Sequence, residues 1–228
     1  MALYAIGDLH LCLGAPKPMD VFGGAWVGYM DKLADGIQKI GPEDTTVLLG
    51  DLSWALGLES ACEDFRWIDR IPGRKIILKG NHDYWWSTAA KFYKFCDDNG
   101  FRNQWILNNN CYTYGDWAIC GTRGWFFEEE RSGQHDEKVF KRELLRLETS
   151  LKAAGDMQKM VFLHYPPRYK GYTCDPILEL LDRYCVRKCF YGHLHGGSHG
   201  LAMEGIWDGV EYRLVSADKL GFEPLLVL

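Results

Sequence analysis

The chain has 228 residues, 47% hydrophobic and 14% aromatic, which is enough to bury a sizeable core. No apolar run is long enough to span a bilayer, and Asp8 interrupts the first apolar stretch too early for a signal peptide, so a cytoplasmic protein with no membrane partner is expected. The net charge of −5 comes without a basic run, which argues against extended nucleic acid as a partner, and the eight cysteines lack a C-x-x-C pair, so they read as reduced thiols rather than staples or a structural zinc site.

In chain order, the apolar run Tyr4-Ala5-Ile6 ends in Gly7-Asp8-Leu9-His10. Residues 11–25 are a Gly- and Pro-bearing loop, after which Trp26, Met30, Leu33 and Ile37 recur at helical spacing until Gly41-Pro42. Val47-Leu48-Leu49 is a second β-prone run and ends in Gly50-Asp51. Ser60-x-x-Glu63 carries a capping-box signature, predicting a short helix that reaches Ile71-Pro72. Ile76-Ile77-Leu78 is a third strand, and Gly80 permits a sharp turn or close approach before Asn81, His82 and Asp83.

A helix from about Ser87 turns Ala89, Phe92, Tyr93 and Cys96 inward and ends at Asn99-Gly100. Trp105 to Leu107 and Trp117 to Cys120 read as strands, with Asn108-Asn109-Asn110 as the turn between them. Asp136 is placed to cap a helix whose stripe is Phe140, Leu144, Leu147 and Leu151, stopped at Gly155. Val161-Phe162-Leu163 ends in His164, and Asp175-Pro176 opens a helix with Ile177, Leu181 and Tyr184 facing in. Cys189-Phe190-Tyr191 ends in Gly192-His193-Leu194-His195, and residues 205–216 alternate as a hairpin turning at Asp208-Gly209. Strand and helix alternate without repeat or linker, so a single α/β domain over residues 1–228 is expected.

Five strand ends therefore carry residues that bind metal. Asp8, His10, Asp51, Asn81, His164, His193 and His195 offer oxygen and imidazole without thiolate, a set that suits manganese, iron or zinc better than magnesium or calcium. Seven ligands are too many for one such ion. If Asp51 bridges, two ions about 3.5–4 Å apart follow, an arrangement that clamps a hydrolytic displacement and acidifies a bridging water. Hydrolysis of a phosphate ester is the natural reaction.

The ordered set Asp8-x-His10, Gly50-Asp51, Gly80-Asn81-His82-Asp83, His164 and Gly192-His193-x-His195 resembles the calcineurin-like metallophosphoesterases, in their small bacterial-type phosphohydrolase branch. The resemblance implies a two-sheet β-sandwich flanked by helices, with a dinuclear site at the strand ends. It implies one metal on Asp8, His10, Asp51 and His195, and the other on Asp51, Asn81, His164 and His193. It also makes His82 the catalytic histidine, a general acid held off the metals, with Asp83 orienting it and keeping it charged near neutral pH. After Gly50-Asp51 the chain reads Leu52-Ser53-Trp54, where protein phosphatases of this family would show a second Asp followed by Arg, which argues against a phosphoprotein substrate. Arg123 is the candidate replacement for holding phosphate, because guanidinium pairs with phosphate in a fork.

Phe22, Trp26, Trp54, Tyr84, Trp85, Trp86 and Trp125 crowd the same loops, and aromatic faces beside a polar site can stack on a planar substrate group. Segments 11–25 and 122–134 are the ones long enough to shape an entrance, while the run Glu128-Glu129-Glu130-Arg131 is expected to face solvent. His199 is either a solvated loop residue or a group beside the site, and His135 is expected at the surface. A small phosphate ester is the expected substrate. A nuclease or nucleotide phosphodiesterase is the alternative, although a nuclease would call for a basic groove, and a non-catalytic scaffold would show missing ligands.

Overall fold

The first β-prone runs are buried on both faces, and that is the environment of parallel strands covered by helices on one side and a second sheet on the other. A computed structural model describes residues 1–126 and 134–228. In order it contains β1 (Leu3–Ile6), α1 (Tyr29–Gly36), β2 (Thr45–Leu48), α2 (Cys62–Asp69), β3 (Arg74–Ile77), α3 (Ala89–Asn99), β4 (Gln104–Ile106), β5 (Tyr112–Tyr114) and β6 (Trp117–Thr122). There follow α4 (Gln134–Ala153), β7 (Gln158–Leu163), β8 (Arg168–Tyr169), β9 (Tyr172–Thr173), α5 (Asp175–Arg183), β10 (Lys188–Tyr191), β11 (Gly205–Trp207), β12 (Val210–Leu214) and β13 (Leu225–Leu226).

One sheet has the order β13-β1-β2-β3-β4, the other β11-β12-β10-β7-β6-β5, and β8 pairs with β9 in a small separate hairpin. Strands β1 to β4 are parallel, as are β6, β7, β10 and β12, while β13, β5 and β11 join the edges antiparallel. The inner faces meet through Leu3, Ala5, Val47, Leu49, Ile76 and Leu78 from the first sheet and Ile119, Met160, Phe162 and Phe190 from the second. Phe162 and Phe190 stack with centroids 5.0 Å apart. Each such side chain contributes roughly 1.5–3 kcal/mol on burial, so the inter-sheet layer is a principal source of stability. The outer face of the first sheet packs on Tyr29, Leu33, Phe65, Ile68 and Phe92, and that of the second on Phe140, Leu147, Leu151, Ile177 and Leu181. The two-sheet sandwich is as the family resemblance implied. No helix among the described residues is long and apolar enough to cross a membrane.

Several local expectations are corrected. The first helix begins at Tyr29 rather than Trp26, because two short 3-10 turns, Met19–Phe22 and Gly24–Trp26, end at Gly28 in the left-handed region. Ser60 does not cap α2: its hydroxyl bonds back to Gly57, and Ala61 precedes the helix with no side-chain cap. Thr88, not Ser87, caps α3 by accepting from Lys91 N at 3.2 Å, and Gly100 closes it as expected. Tyr93 is partly exposed, its hydroxyl accepting from Ile106 N. Asp136 lies inside the first turn of α4 instead of capping it. The Asn108-to-Asn110 turn leads from β4 into β5, a strand the sequence did not announce, and so carries the chain from one sheet to the other. The hairpin at Asp208-Gly209 forms as expected, with both residues at positive φ. The run from Glu128 to Arg131, and most of the 122–134 segment, lie outside the described residues.

Candidate metal centre

Parallel strands deliver all their C-terminal ends to one edge of each sheet, and that edge is where the polar motifs fall. Asp8 and His10 follow β1, Asp51 follows β2, Asn81 to Asp83 follow β3, His164 follows β7, and His193 and His195 follow β10. The two sheets are stitched at this edge, where Gly7 N donates to Val215 O at 2.8 Å and Ala217 N donates to Gly7 O at 3.0 Å. Within the first sheet, Asp8 N donates to Gly50 O and His10 N to Asp51 O, joining the ends of β1 and β2.

The glycines before the ligands have a steric cause. A Cβ on Gly80 would lie 2.1 Å from Asp51 Oδ1, and one on Gly192 would lie 2.5 Å from Asp8 Oδ2. Asp8, His10, Asp51 and His193 themselves hold φ between 46° and 72°. For residues with a side chain that left-handed conformation costs about 1–2 kcal/mol each, and such strain gathers at functional sites.

The side chains converge in two groups, Asp8 with His10 and His195, and Asp51 with His164 and His193, each with its ligand atoms within 4.8 Å of one another. Asp51 Oδ2 stands 3.5 Å from His164 Nε2 and 4.0 Å from His10 Nε2, so it lies between the groups. Asn81 Oδ1 is 2.6 Å from His164 Nε2, joining the second group. All seven expected ligands are thus brought together at one edge of the sandwich.

The donor set fits cations. His164 Nδ1 donates to Leu49 O at 3.0 Å, which turns the Nε2 lone pair toward the Asn81 and Asp51 oxygens. His195 Nδ1 bonds to Asp218 Oδ1 at 2.9 Å, turning its Nε2 toward His10 Nε2 at 3.4 Å and Asp8 Oδ1 at 3.5 Å. Acceptors crowded so closely need positive charge among them. The proton affinities leave two of the imidazoles neutral, with lone pairs free for a cation. Burial lowers His10 and His193 to about 3 and raises Asp51 to about 7. Burial opposes the charge on His195 too, but Asp8 and Asp218 outweigh it and raise the imidazole to about 10. Burial would likewise raise Asp8, yet His195 holds it below the ordinary carboxylate range.

Asp83 takes a different part from the one expected. Its buried carboxylate accepts from Leu52 N, Ser53 N and Trp85 Nε1 on Oδ1, and from Asp51 N and Gly80 N on Oδ2. Those bonds clamp the β2 and β3 loops, rather than orienting the His82 imidazole. His82 instead packs against Trp54, centroids 4.6 Å apart, with Nδ1 3.5 Å from the Tyr84 hydroxyl. Its pKa is lowered, by burial first and Lys17 second, opposite to the expectation that Asp83 keeps it charged.

Arg123 does not line the metal cavity. Its guanidinium meets Glu143 at 3.4 Å and stacks on Trp125, facing a neighbouring cavity. The metal cavity, roughly 570 Å³, is walled by Met19, Phe22, Trp26 and Trp54, with His82 and His199 at its sides. Of the other aromatics, Trp85 is buried against Phe65, Trp86 lines the neighbouring cavity, and Tyr84 is exposed beside His82. The loop of residues 11–25 is held over the site by Asp64, which accepts from Leu13 N at 2.7 Å and from the Ser53 hydroxyl at 2.5 Å.

Two functional side chains escaped sequence reasoning. Asp218, beyond β12, holds His195 and also faces His199 at 3.2 Å. Lys17 places its ammonium 3.2 Å from the Trp54 ring centroid, the cation nearest in effect to His82. Neither sits in a motif; His199, expected either in a solvated loop or beside the site, lines the metal cavity.

The family model described as calcineurin-like phosphoesterase matches residues 1–197. The chain belongs to the calcineurin-like phosphoesterases. It is accordingly a hydrolase of phosphoesters that depends on divalent metal ions, and Asp8, His10, Asp51, Asn81, His164, His193 and His195 are the candidate ligands. Comparison with curated protein sequences gave no match. Among solved structures, the phosphopantetheinyl hydrolase of Mycobacterium tuberculosis is similar in fold, with a TM-score of 0.64 at 15% identity over 100% of this chain and 95% of that one. A protein of unknown function from Aquifex aeolicus aligns with a TM-score of 0.55 at 17% identity over 99% and 95% of the two chains. A Thermus thermophilus protein gives 0.54 at 12% identity over 85% and 81%. These solved structures thus share its fold at low identity.

Proposed function

We propose that this calcineurin-like phosphoesterase cleaves a small phosphomonoester or phosphodiester whose leaving group is planar or apolar, using two divalent transition-metal ions, manganese foremost. The observation that carries the reading is the cavity itself: both ligand groups border it, and its walls are Met19, Phe22, Trp26 and Trp54 rather than a broad charged face. Asp8, His10 and His195 would hold one ion and Asn81, His164 and His193 the other, with Asp51 between them. Bound ions supply Lewis acidity toward the phosphoryl oxygens and make water nucleophilic near neutral pH.

The chain's own residues do the rest. Lys17, rather than Arg123, neutralises charge on the entering phosphate. His82, with Nδ1 turned to Tyr84, presents Nε2 to the leaving oxygen and gives it a proton. A substrate phosphate beside His82 opposes the depression that burial and Lys17 impose, so the proton is held when it is needed. Trp26 and Trp54 exclude water and give the cavity an apolar wall that suits a base or aryl group, which favours a nucleotide phosphodiester as the second reading.

The test is a panel of small phosphate esters, nucleotide diesters and phosphopantetheinyl esters, assayed with added manganese beside phosphorylated folded proteins. Small esters are expected to be cleaved faster. Robust dephosphorylation of proteins with negligible turnover of every small ester would overturn the proposal.

A further inference from the structure

A second cavity, roughly 290 Å³, shares the 79–87 loop with the metal centre but opens on Thr122, Arg123 and α4. Among the described residues, Lys79, Arg123, Arg142 and Arg146 line it against one carboxylate, Glu143. Four cations around one anion are unexpected in a chain whose net charge is −5.

Glu143 is buried and already engaged. Its Oε2 accepts from the Thr122 hydroxyl at 2.6 Å, and its Oε1 accepts from Arg146 at 2.7 Å and from Arg123 at 3.4 Å. One carboxylate thus fixes two guanidinium groups, and among the described residues most of their remaining donors have no side-chain acceptor. Arg123 Nε is buried without a hydrogen-bond partner among the described residues. Trp125 stacks on the same guanidinium and holds its plane. Ser87 and Asn108 add neutral polar groups to the lining. Like charges gathered at a shared cavity repel one another, and an anion with several acceptor oxygens relieves that repulsion while filling the spare donors.

We infer that this cavity binds a phosphate-type anion, separate from the phosphoryl group at the metal centre and supplied either as a second phosphate on the substrate or as free inorganic phosphate. The first source rests on the phosphoesterase reading; the second does not. Tetrahedral oxyanions suit the site because arginine engages two of their oxygens at once.

The test is calorimetric titration of the metal-loaded protein with inorganic phosphate, comparing wild type with the Arg142→Gln/Arg146→Gln double variant. Wild type is expected to show a binding event that the double variant weakens by about tenfold or more. Arg142→Lys/Arg146→Lys, which keeps the charge, should retain most of it. Unchanged kcat/KM on nitrophenyl phosphate shows that the variants fold and keep their metals. Phosphate binding identical in wild type and the glutamine variant overturns the site. An ester carrying a second phosphate then distinguishes the sources. A kcat/KM advantage over the singly phosphorylated ester, lost in the glutamine variant, assigns the site to substrate. Equal kcat/KM for the two esters, with the binding difference retained, assigns it to free phosphate. The titration reads binding without turnover, so its failure and a failure of the hydrolase proposal are separate results.

Discussion

Replacing Asp83 by Asn separates two roles for that carboxylate, one acting on His82 and one holding the loops. An asparagine oxygen can still accept from Leu52 N, Ser53 N and Trp85 Nε1. Its amide nitrogen, however, would face Asp51 N and Gly80 N, which now donate to Oδ2 at 2.8 and 2.7 Å. Two bonds to a charged acceptor are lost and two buried N–H groups are left facing another donor, at about 1.5–3 kcal/mol each. The expected destabilisation is therefore about 3–6 kcal/mol, a large share of the roughly 5–15 kcal/mol that holds an ordinary domain folded. Because Asp51 and Gly80 are anchored by these bonds, metal retention should fall together with stability. Urea unfolding followed by tryptophan fluorescence, with metal content measured on each sample, reads both quantities. A variant with wild-type stability and full metal content but a greatly reduced rate would refute the clamp and restore Asp83 as a partner of His82.

Asp51→Asn should loosen both metal ions and His10→Ala mainly one, since Asp51 Oδ2 lies between the two ligand groups; a fully active enzyme with a single tightly held ion by elemental analysis would count against two. His82→Ala should keep its metals and lose about 10²- to 10⁴-fold in kcat/KM on alkyl phosphates, with a much smaller loss on nitrophenyl phosphate. Equal losses across the leaving-group series would mean that His82 positions the phosphoryl group instead of protonating the leaving oxygen. Asp218→Asn should weaken metal affinity by about 10- to 100-fold, because it leaves His195 without the carboxylate that turns its Nε2 inward; wild-type affinity in a metal-competition titration would exclude that role.

The ligands were legible because each stands directly after a run of apolar residues that only a buried strand explains, as Val47 to Leu49 before Gly50-Asp51. The pairing of those strands into two sheets was not, since Ile76 and Val161 look alike from sequence and only their long-range partners tell the sheets apart. Ser60 carries a capping signature, but its hydroxyl accepts from Gly57 N and donates to Gly57 O instead, a local competition that spacing alone does not resolve. Asp83 had the right neighbour in sequence and the wrong one in space, because the loop turns its carboxylate inward to five N–H groups. Asp218 and Lys17 lie in stretches without motif, and their placement depends on how β12 and the 11–25 loop fold over the site. Arg123 has the chemistry to hold phosphate, but the buried Glu143 on α4 draws it away from the metal cavity.

Each candidate ion group takes ligands from both sheets: Asp8 and His10 from the end of β1 with His195 from beyond β10, and Asp51 from β2 with His164 and His193 from β7 and β10. Apolar layers resist separation but slide with little directional preference, whereas coordination bonds fix one side against the other. The metals would therefore act as rivets through the sandwich as well as reagents. An ion present at a thousand times its dissociation constant adds about 4 kcal/mol to folding stability. Chelation should then loosen the seam between the sheets before either sheet frays within itself. The lifetime of the folded chain in a cell would track metal supply as closely as its turnover does.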